Sequence, residues 1–186
     1  MEYQFDKSPA RLFMLDKIKE GDVCAEVGVL KGDYADLICS RPISELHLVD
    51  PWVSISDVPD RWHAVPQEKM DEYKTEVINR FAGNDKVKII EKYSVAAVSD
   101  FEDNSIDWLY LDANHSYDFV CDDLKNWWPK IKPSGFLCGN AYSDSLFQVN
   151  VLDFGVVPAV DNFLEQNFDT IQDFENQGSQ YMIQKA

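Results

Sequence analysis

Three short stretches of this 186-residue chain carry side chains able to do chemistry together. The first is Glu26-Val27-Gly28-Val29-Leu30-Lys31-Gly32, an apolar run that turns at glycine. Glycine at 28 lets backbone approach a ligand closely, and Gly32 eases entry into a helix whose first amides attract anions. A dinucleotide fingerprint reads G-x-G-x-x-G, but here Glu26 stands two places before Gly28 and the next glycine is four away. An anionic side chain at that place repels a pyrophosphate and suits a ligand carrying an ammonium and a sulfonium. The second stretch ends in Asp50, which follows Gly28 at about the 20-residue distance where an acid meets ribose hydroxyls in such folds. The third is Asp112-Ala113-Asn114-His115, a carboxylate close to an imidazole that can take up a proton near neutral pH.

For these residues to meet, the chain must place them at the ends of neighbouring strands. Ser8-Pro9 is a helix-start signal, and Leu12, Phe13, Leu15 and Ile18 mark a helix ending near Glu20-Gly21. Val23–Val29 reads as the first strand, Gly32 opens a helix with Tyr34, Leu37 and Ile38 inward, and Glu45–Val49 is the second strand. Residues 51–66, marked by Pro51, Pro59 and Pro66, form a loop carrying Trp52 and Trp62. Met70, Tyr73, Val77, Ile78 and Phe81 then recur at helical spacing. Val87–Ile90 is a third strand, Ser94–Val98 a short helix, and Ile106–Leu111 a fourth strand whose apolar run fits burial on both faces. Tyr117–Trp128 is a helix with Val120, Leu124 and Trp127 on one side. After a turn at Lys132-Pro133-Ser134-Gly135 comes a fifth strand, Phe136–Cys138. Val156, Val160, Phe163 and Leu164 define a last helix, and Thr170–Phe174 and Tyr181–Ile183 a closing hairpin that turns at Asn176–Gly178. Strands alternating with helices imply an α/β domain, a mostly parallel sheet covered on both faces. We read residues 1–186 as a single domain, with residues 1–20 as its N-terminal helix.

The totals narrow the partners. Lysine and arginine number 17 against 33 acidic residues, a net charge of -16, and no basic run exists to track phosphates. Nucleic acid and anionic membrane are therefore not expected. Cys24, Cys39, Cys121 and Cys138 form no C-x-x-C pair and lie in apolar stretches, as buried free thiols of a reducing compartment do. No signal-like N-terminus and no apolar run of membrane-spanning length is present, so a cytoplasmic location is expected. A homo-oligomer is compatible with this composition.

The E-V-G-V-x-x-G turn, the L-H-L-V-D strand and L-D-A-N-H-S-Y together resemble class I methyltransferases, chiefly the macrocin O-methyltransferase-like group and more distantly the catechol O-methyltransferases. The likeness continues through W-W-P-K-I-K-P-S-G-F-L-C-G and G-V-V-P-A-V-D-N-F-L, so it spans roughly residues 20–185. It implies a Rossmann-like three-layer sandwich with a seven-stranded sheet of order 3-2-1-4-5-7-6, strand seven antiparallel. It also implies S-adenosyl-L-methionine as cofactor. Glu26, Gly28 and Gly32 would line its methionine end with Asp112 nearby, Asp50 would hold the ribose, and Tyr93-Ser94 would lie near the adenine. The expected reaction is methyl transfer to oxygen on a small hydroxylated acceptor, a sugar or a glycosylated metabolite.

In relatives with D-x-x-H here, the aspartate binds magnesium and the histidine is the general base; Asp112 and His115 would take those catalytic roles. Metal-dependent relatives complete the site with an acid-acid or Asp-Asn pair after the fifth strand, whereas this chain has Gly139-Asn140-Ala141-Tyr142. Asp112 with Asn140 makes a weak magnesium site, one carboxylate and one amide; Asp144 is the nearby substitute. That departure leaves an alternative, a cofactor-binding but catalytically degenerate module that acts through a partner. A nicotinamide oxidoreductase is disfavoured by Glu26 and the glycine spacing. Trp52, Trp62, Tyr117 and Tyr142 are either core or an acceptor wall, His115 either a base or a helix cap, and the acidic segment Asp57–Asp60 a solvated surface. His47 reads as a strand residue and His63 as exposed loop.

Overall fold

A computed structural model describes residues 9–54, 65–145, 148–149 and 153–186. Strands β1 (Val23–Val27), β2 (Glu45–Val49), β3 (Val87–Ile90), β4 (Ile106–Leu111), β5 (Ile131–Gly139), β6 (Ile171–Gln177) and β7 (Gln180–Lys185) build one seven-stranded sheet of order β3-β2-β1-β4-β5-β7-β6. The first five run parallel, and β7 is antiparallel to both β5 and β6. Both the strand order and the reversed seventh strand agree with the expected fold.

The period of two along each strand decides which layer a residue serves. Cys24, Trp108 and Tyr110 face a core with Met14 and Leu15 of α1 (Pro9–Leu15), Tyr34 and Ile38 of α2 (Asp33–Cys39), and Met70 and Val77 of α3 (Gln67–Arg80). Ala25, Leu109 and Leu111 face the opposite core. There they meet Ala97 of α4 (Ser94–Ala97), Val120 and Leu124 of α5 (Tyr117–Trp127), and Val160 and Phe163 of α6 (Val156–Gln166). Helices on both faces of a central sheet make the three layers, and a sheet buried on both sides needs the near-continuous apolar strands seen at β4.

Three local expectations change. Helix α1 stops at Leu15, with the chain continuing in turns through Ile18, so it is shorter than the apolar spacing suggests. The turn expected at Lys132–Gly135 lies inside β5: Ile131 pairs with Ile106 and Phe136 with Trp108, so the stretch between them is a bulge-like excursion. Pro133 has no N–H for a ladder, and Ser134 takes φ 64 there. All four cysteines are free as expected, but only Cys24 and Cys138 are buried, while Cys39 and Cys121 pack against the two cores and stay partly exposed.

Gly28 has a packing reason beyond the one its motif suggests. It sits at φ +90, and a Cβ there would fall 2.1 Å from the Asp112 carbonyl oxygen. The amide of Asp112 donates to the Val27 carbonyl at 2.8 Å, and that of Gly28 to the Val49 carbonyl at 2.9 Å. The missing side chain thus lets the ends of β1 and β4 close on each other. Gly28→Ala combines a left-handed backbone with a backbone clash, and should cost about 3–5 kcal/mol. Urea unfolding checks it; a loss under about 1 kcal/mol would mean the two strand ends part freely.

Candidate active site

In an open α/β sheet, ligands bind outside the carboxyl ends of the strands where the strand order reverses. Here that point lies between β1 and β4. Glu26 is the penultimate residue of β1, in register with Tyr110 on one side and Leu48 on the other. It is 2% exposed, and its Oε2 has no hydrogen-bond partner among the described residues. Burial, reinforced by the charge of Asp112, pushes its carboxyl well above the ordinary range, with Arg11 opposing. Glu26 therefore stands at the expected place, untied by any ion pair among the described residues.

Asp112 follows β4 and gathers donors from three directions. Arg11 Nη2 of α1 donates to its Oδ2 at 3.1 Å, and Asn140 Nδ2 donates to its Oδ1 at 3.0 Å. His115 Nε2 lies 3.2 Å from the same Oδ1. Burial alone would raise this carboxyl, but the His115 bond, the Arg11 charge and the Asn140 amide outweigh it and hold it below its usual value. An ionised carboxylate accepts and never donates. His115 Nε2 must then carry the ring proton, which leaves Nδ1 as the basic nitrogen. The Asn140 amide must likewise turn its nitrogen to Asp112, so its oxygen accepts from Gln180 Nε2 at 2.6 Å. Gln180 Oε1 in turn accepts from the Tyr110 hydroxyl at 2.7 Å. His115 is buried, with its ring 4.5 Å from that of Phe154, and the α5 N-cap is Ser116; the imidazole bonds a carboxylate and is not the helix cap.

This donor set does not fit magnesium. The ion needs several free oxygens at about 2.0–2.1 Å, but the Asp112 oxygens already accept from a guanidinium, an amide and an imidazole, and the Asn140 oxygen faces away toward Gln180. Asp144 is exposed, and among the described residues no group of three or more His, Cys, Asp or Glu side chains could hold a metal. Asp112 and Asn140 are brought together, as a hydrogen-bonded pair and not as co-ligands.

Asp50 pins the glycine loop. Its Oδ2 accepts from the amides of Val29 at 2.8 Å and Leu30 at 3.0 Å, and its Oδ1 from the Trp52 amide at 2.7 Å. Those loop amides are thereby taken by the chain's own carboxylate, which disfavours a phosphate at the turn. Trp52 is 2% exposed at φ 46, with its indole N–H on the Leu30 carbonyl at 2.8 Å. It braces the loop from the core and forms no acceptor wall. Gly32 is the left-handed N-cap of α2, close against Phe81 and Val77 of the α3 end. Tyr117 is exposed, and the Tyr142 hydroxyl donates to Asp161 Oδ1 at 2.8 Å. His47 lies in β2 beside Glu45, as expected. Trp62, His63 and the segment 57–60 lie outside the described residues.

Tyr93 and Ser94 follow β3, at the strand ends where the adenine was expected. Tyr93 is exposed, but the Ser94 hydroxyl is engaged by α5: it bonds the Asp123 carboxyl and accepts from Trp127 Nε1 at 2.8 Å. Asp123 escaped the sequence reading, although its signal was an acid at helical spacing inside the apolar stripe Val120, Leu124 and Trp127. With Leu111, Ala113, His115, Asn140 and Tyr181 it lines a cleft beside the switch point. Burial pushes its carboxyl up to about 7 against the opposing Ser94 bond. A carboxyl raised on folding favours the folded state below its unfolded pKa, and that contribution is lost as pH climbs to its folded value. Asp123→Asn, which does not titrate, should gain on the parent between pH 4 and 7 by a few kcal/mol at most, at about 1.4 kcal/mol per pKa unit. Denaturant melts at pH 4, 5.5 and 7 measure the gap; a gap that stays constant would mean Asp123 ionises normally.

The chain matches the family described as "Methyltransferase domain" over residues 25–142. An uncharacterized protein of Sinorhizobium fredii is 39% identical over 46 residues, 25% of this chain, which spans only 5% of that relative's length. Among solved structures, a SAM-dependent O-methyltransferase from Thermotoga maritima superposes with a TM-score of 0.63 at 13% identity, covering 100% of this chain and 68% of its own. A protein described as a methyltransferase from Streptococcus mutans, solved in complex with SAH, gives 0.64 at 11% identity over 98% of this chain and 100% of its own. At these identities the structural likenesses speak for the fold.

Proposed function

The chain belongs to the methyltransferase-domain family, with the class I S-adenosylmethionine-dependent fold, and from that premise we propose an O-methyltransferase acting on a small hydroxylated acceptor, a sugar or a glycosylated metabolite, with His115 as general base. One observation carries the proposal: the fully buried Glu26 carboxyl, with an oxygen left unbonded, at the switch point. A buried carboxyl without a partner is costly to ionise unless a cation comes to meet it, and the cofactor brings an ammonium and a sulfonium. When bound, that cofactor supplies an electrophilic methyl group on sulfur. The neighbours named for O-methyl transfer and for SAH support the same reading.

The chain's own residues do the rest. Glu26 provides the counter-charge, and Asp50 keeps the loop folded so that Glu26 stays in place. Asp112 sets the tautomer of His115, whose Nδ1 takes the acceptor's hydroxyl proton. Holding the acceptor oxygen in line and excluding water supply much of the acceleration, and the cleft beside His115 has mainly apolar walls at Leu111, Ala113, Val120 and Val156. No step requires a divalent ion, so EDTA should leave turnover unchanged.

Titration calorimetry with S-adenosylmethionine and S-adenosylhomocysteine tests the foundation. Glu26→Gln should weaken binding at least tenfold while the protein stays folded. A folded wild-type protein that gives no heat with either compound would overturn the function. His115→Ala should lower methyl transfer across a panel of sugar and glycoside acceptors by roughly 100-fold or more with cofactor affinity intact; undiminished turnover removes His115 from the chemistry.

A further inference from the structure

Arg11 has no place in the sequence motifs and precedes the matched family region, yet its guanidinium reaches the switch point. It is 8% exposed. Its central carbon lies 5.2 Å from the Tyr34 ring centroid and 5.5 Å from that of Tyr110, and Nη2 meets Asp112. Its position is held at both ends: the Tyr34 hydroxyl donates to the Arg11 carbonyl at 3.2 Å, the Trp108 indole donates to the Met14 carbonyl at 3.2 Å, and Met14 and Leu15 are fully buried. A planar cation on two aromatic faces is pre-organised for a planar carboxylate.

Neutralising Asp112 is the plain explanation for a buried arginine, but it leaves half of the site unexplained. Two carboxyls, Glu26 and Asp112, face a single guanidinium, and it is Glu26 that keeps an unbonded, fully buried oxygen. Among the described residues, an ionised Glu26 beside Asp112 would leave the cluster short of one positive charge. An α-amino acid attached to a sulfonium carries an ammonium, a sulfonium and a carboxylate, and so supplies that one net charge.

We infer that Arg11 is the receptor for the cofactor's carboxylate, and that Glu26 and Asp112 receive its ammonium, so that the three side chains together recognise the amino-acid end of S-adenosylmethionine. The inference rests on the function proposed above and adds a determinant to it: the protein takes the amino-acid-bearing nucleoside and rejects its decarboxylated form.

Calorimetry of the full chain with two ligands tests it, S-adenosylmethionine and its decarboxylated form. Wild type should prefer the carboxylate-bearing ligand at least tenfold. Arg11→Met should lose that preference by weakening S-adenosylmethionine alone, while Arg11→Lys should keep part of it. Equal weakening of both ligands in Arg11→Met would mean the arginine merely shapes the site, and no change in either would mean it does not reach the ligand; either result overturns the inference. Should Arg11→Met fail to fold, the wild-type comparison decides alone, because binding without discrimination overturns Arg11's role and leaves the methyltransferase reading standing. A wild-type protein that binds neither ligand takes both down.

Discussion

A carboxylate can only accept hydrogen bonds, and at Asp112 that constraint orders everything around it. One oxygen takes the guanidinium of Arg11, the other takes Asn140 and His115, and the direction of each further bond follows. Asn140 must offer its amide nitrogen, Gln180 must donate to the Asn140 oxygen, and Tyr110 must donate to Gln180. A first helix, the β4–α5 loop, the residue after β5, the first residue of β7 and the core of β4 are thereby tied to one group. Such networks are strongly favourable when complete and poor when partly made, so the polar floor of the site behaves as a unit.

The same constraint explains why the metal-site resemblance fails in detail. A hard cation would have to displace or share oxygens that already accept from a guanidinium and an amide nitrogen. In this chain the position after β5 is an amide, and an amide can turn either its oxygen or its nitrogen inward. Asp112, already ionised and paired with Arg11, selects the nitrogen. Charge balance at the floor comes from an arginine.

Much of the architecture was legible because it depends on local pattern. The strand runs, the helix stripes of α3, α5 and α6 and the reversal at β7 all follow from period and turn chemistry. The acids at 26, 50 and 112 were legible by spacing, and all three stand at strand ends. What escaped depends on tertiary approach. Nothing near Arg11 or Gln180 in the sequence shows that they meet Asp112 and Asn140, and Asp123 was hidden within an apolar stripe. Gly28 was found by its motif, and the structure adds a packing reason that the sequence does not show: the backbone of Asp112 fills the space a Cβ would take. Asp50, expected on a ribose, has three backbone amides on its oxygens, because the loop it would present to a sugar must first be folded by it.

The ties that close the floor span long stretches of chain, from Arg11 to Asp112 and from Gln180 back to Tyr110 and Asn140. Closing such long loops is entropically expensive, so the floor is complete only when the sheet on both sides of it has formed. A partly folded chain then has a glycine turn but no finished floor, and nothing with which to hold a nucleoside. Occupancy of the site consequently draws on the whole cooperative structure: ligand would raise the free energy of global opening and slow exchange of the deepest amides in β1 and β4, rather than merely quieting the loops at the rim.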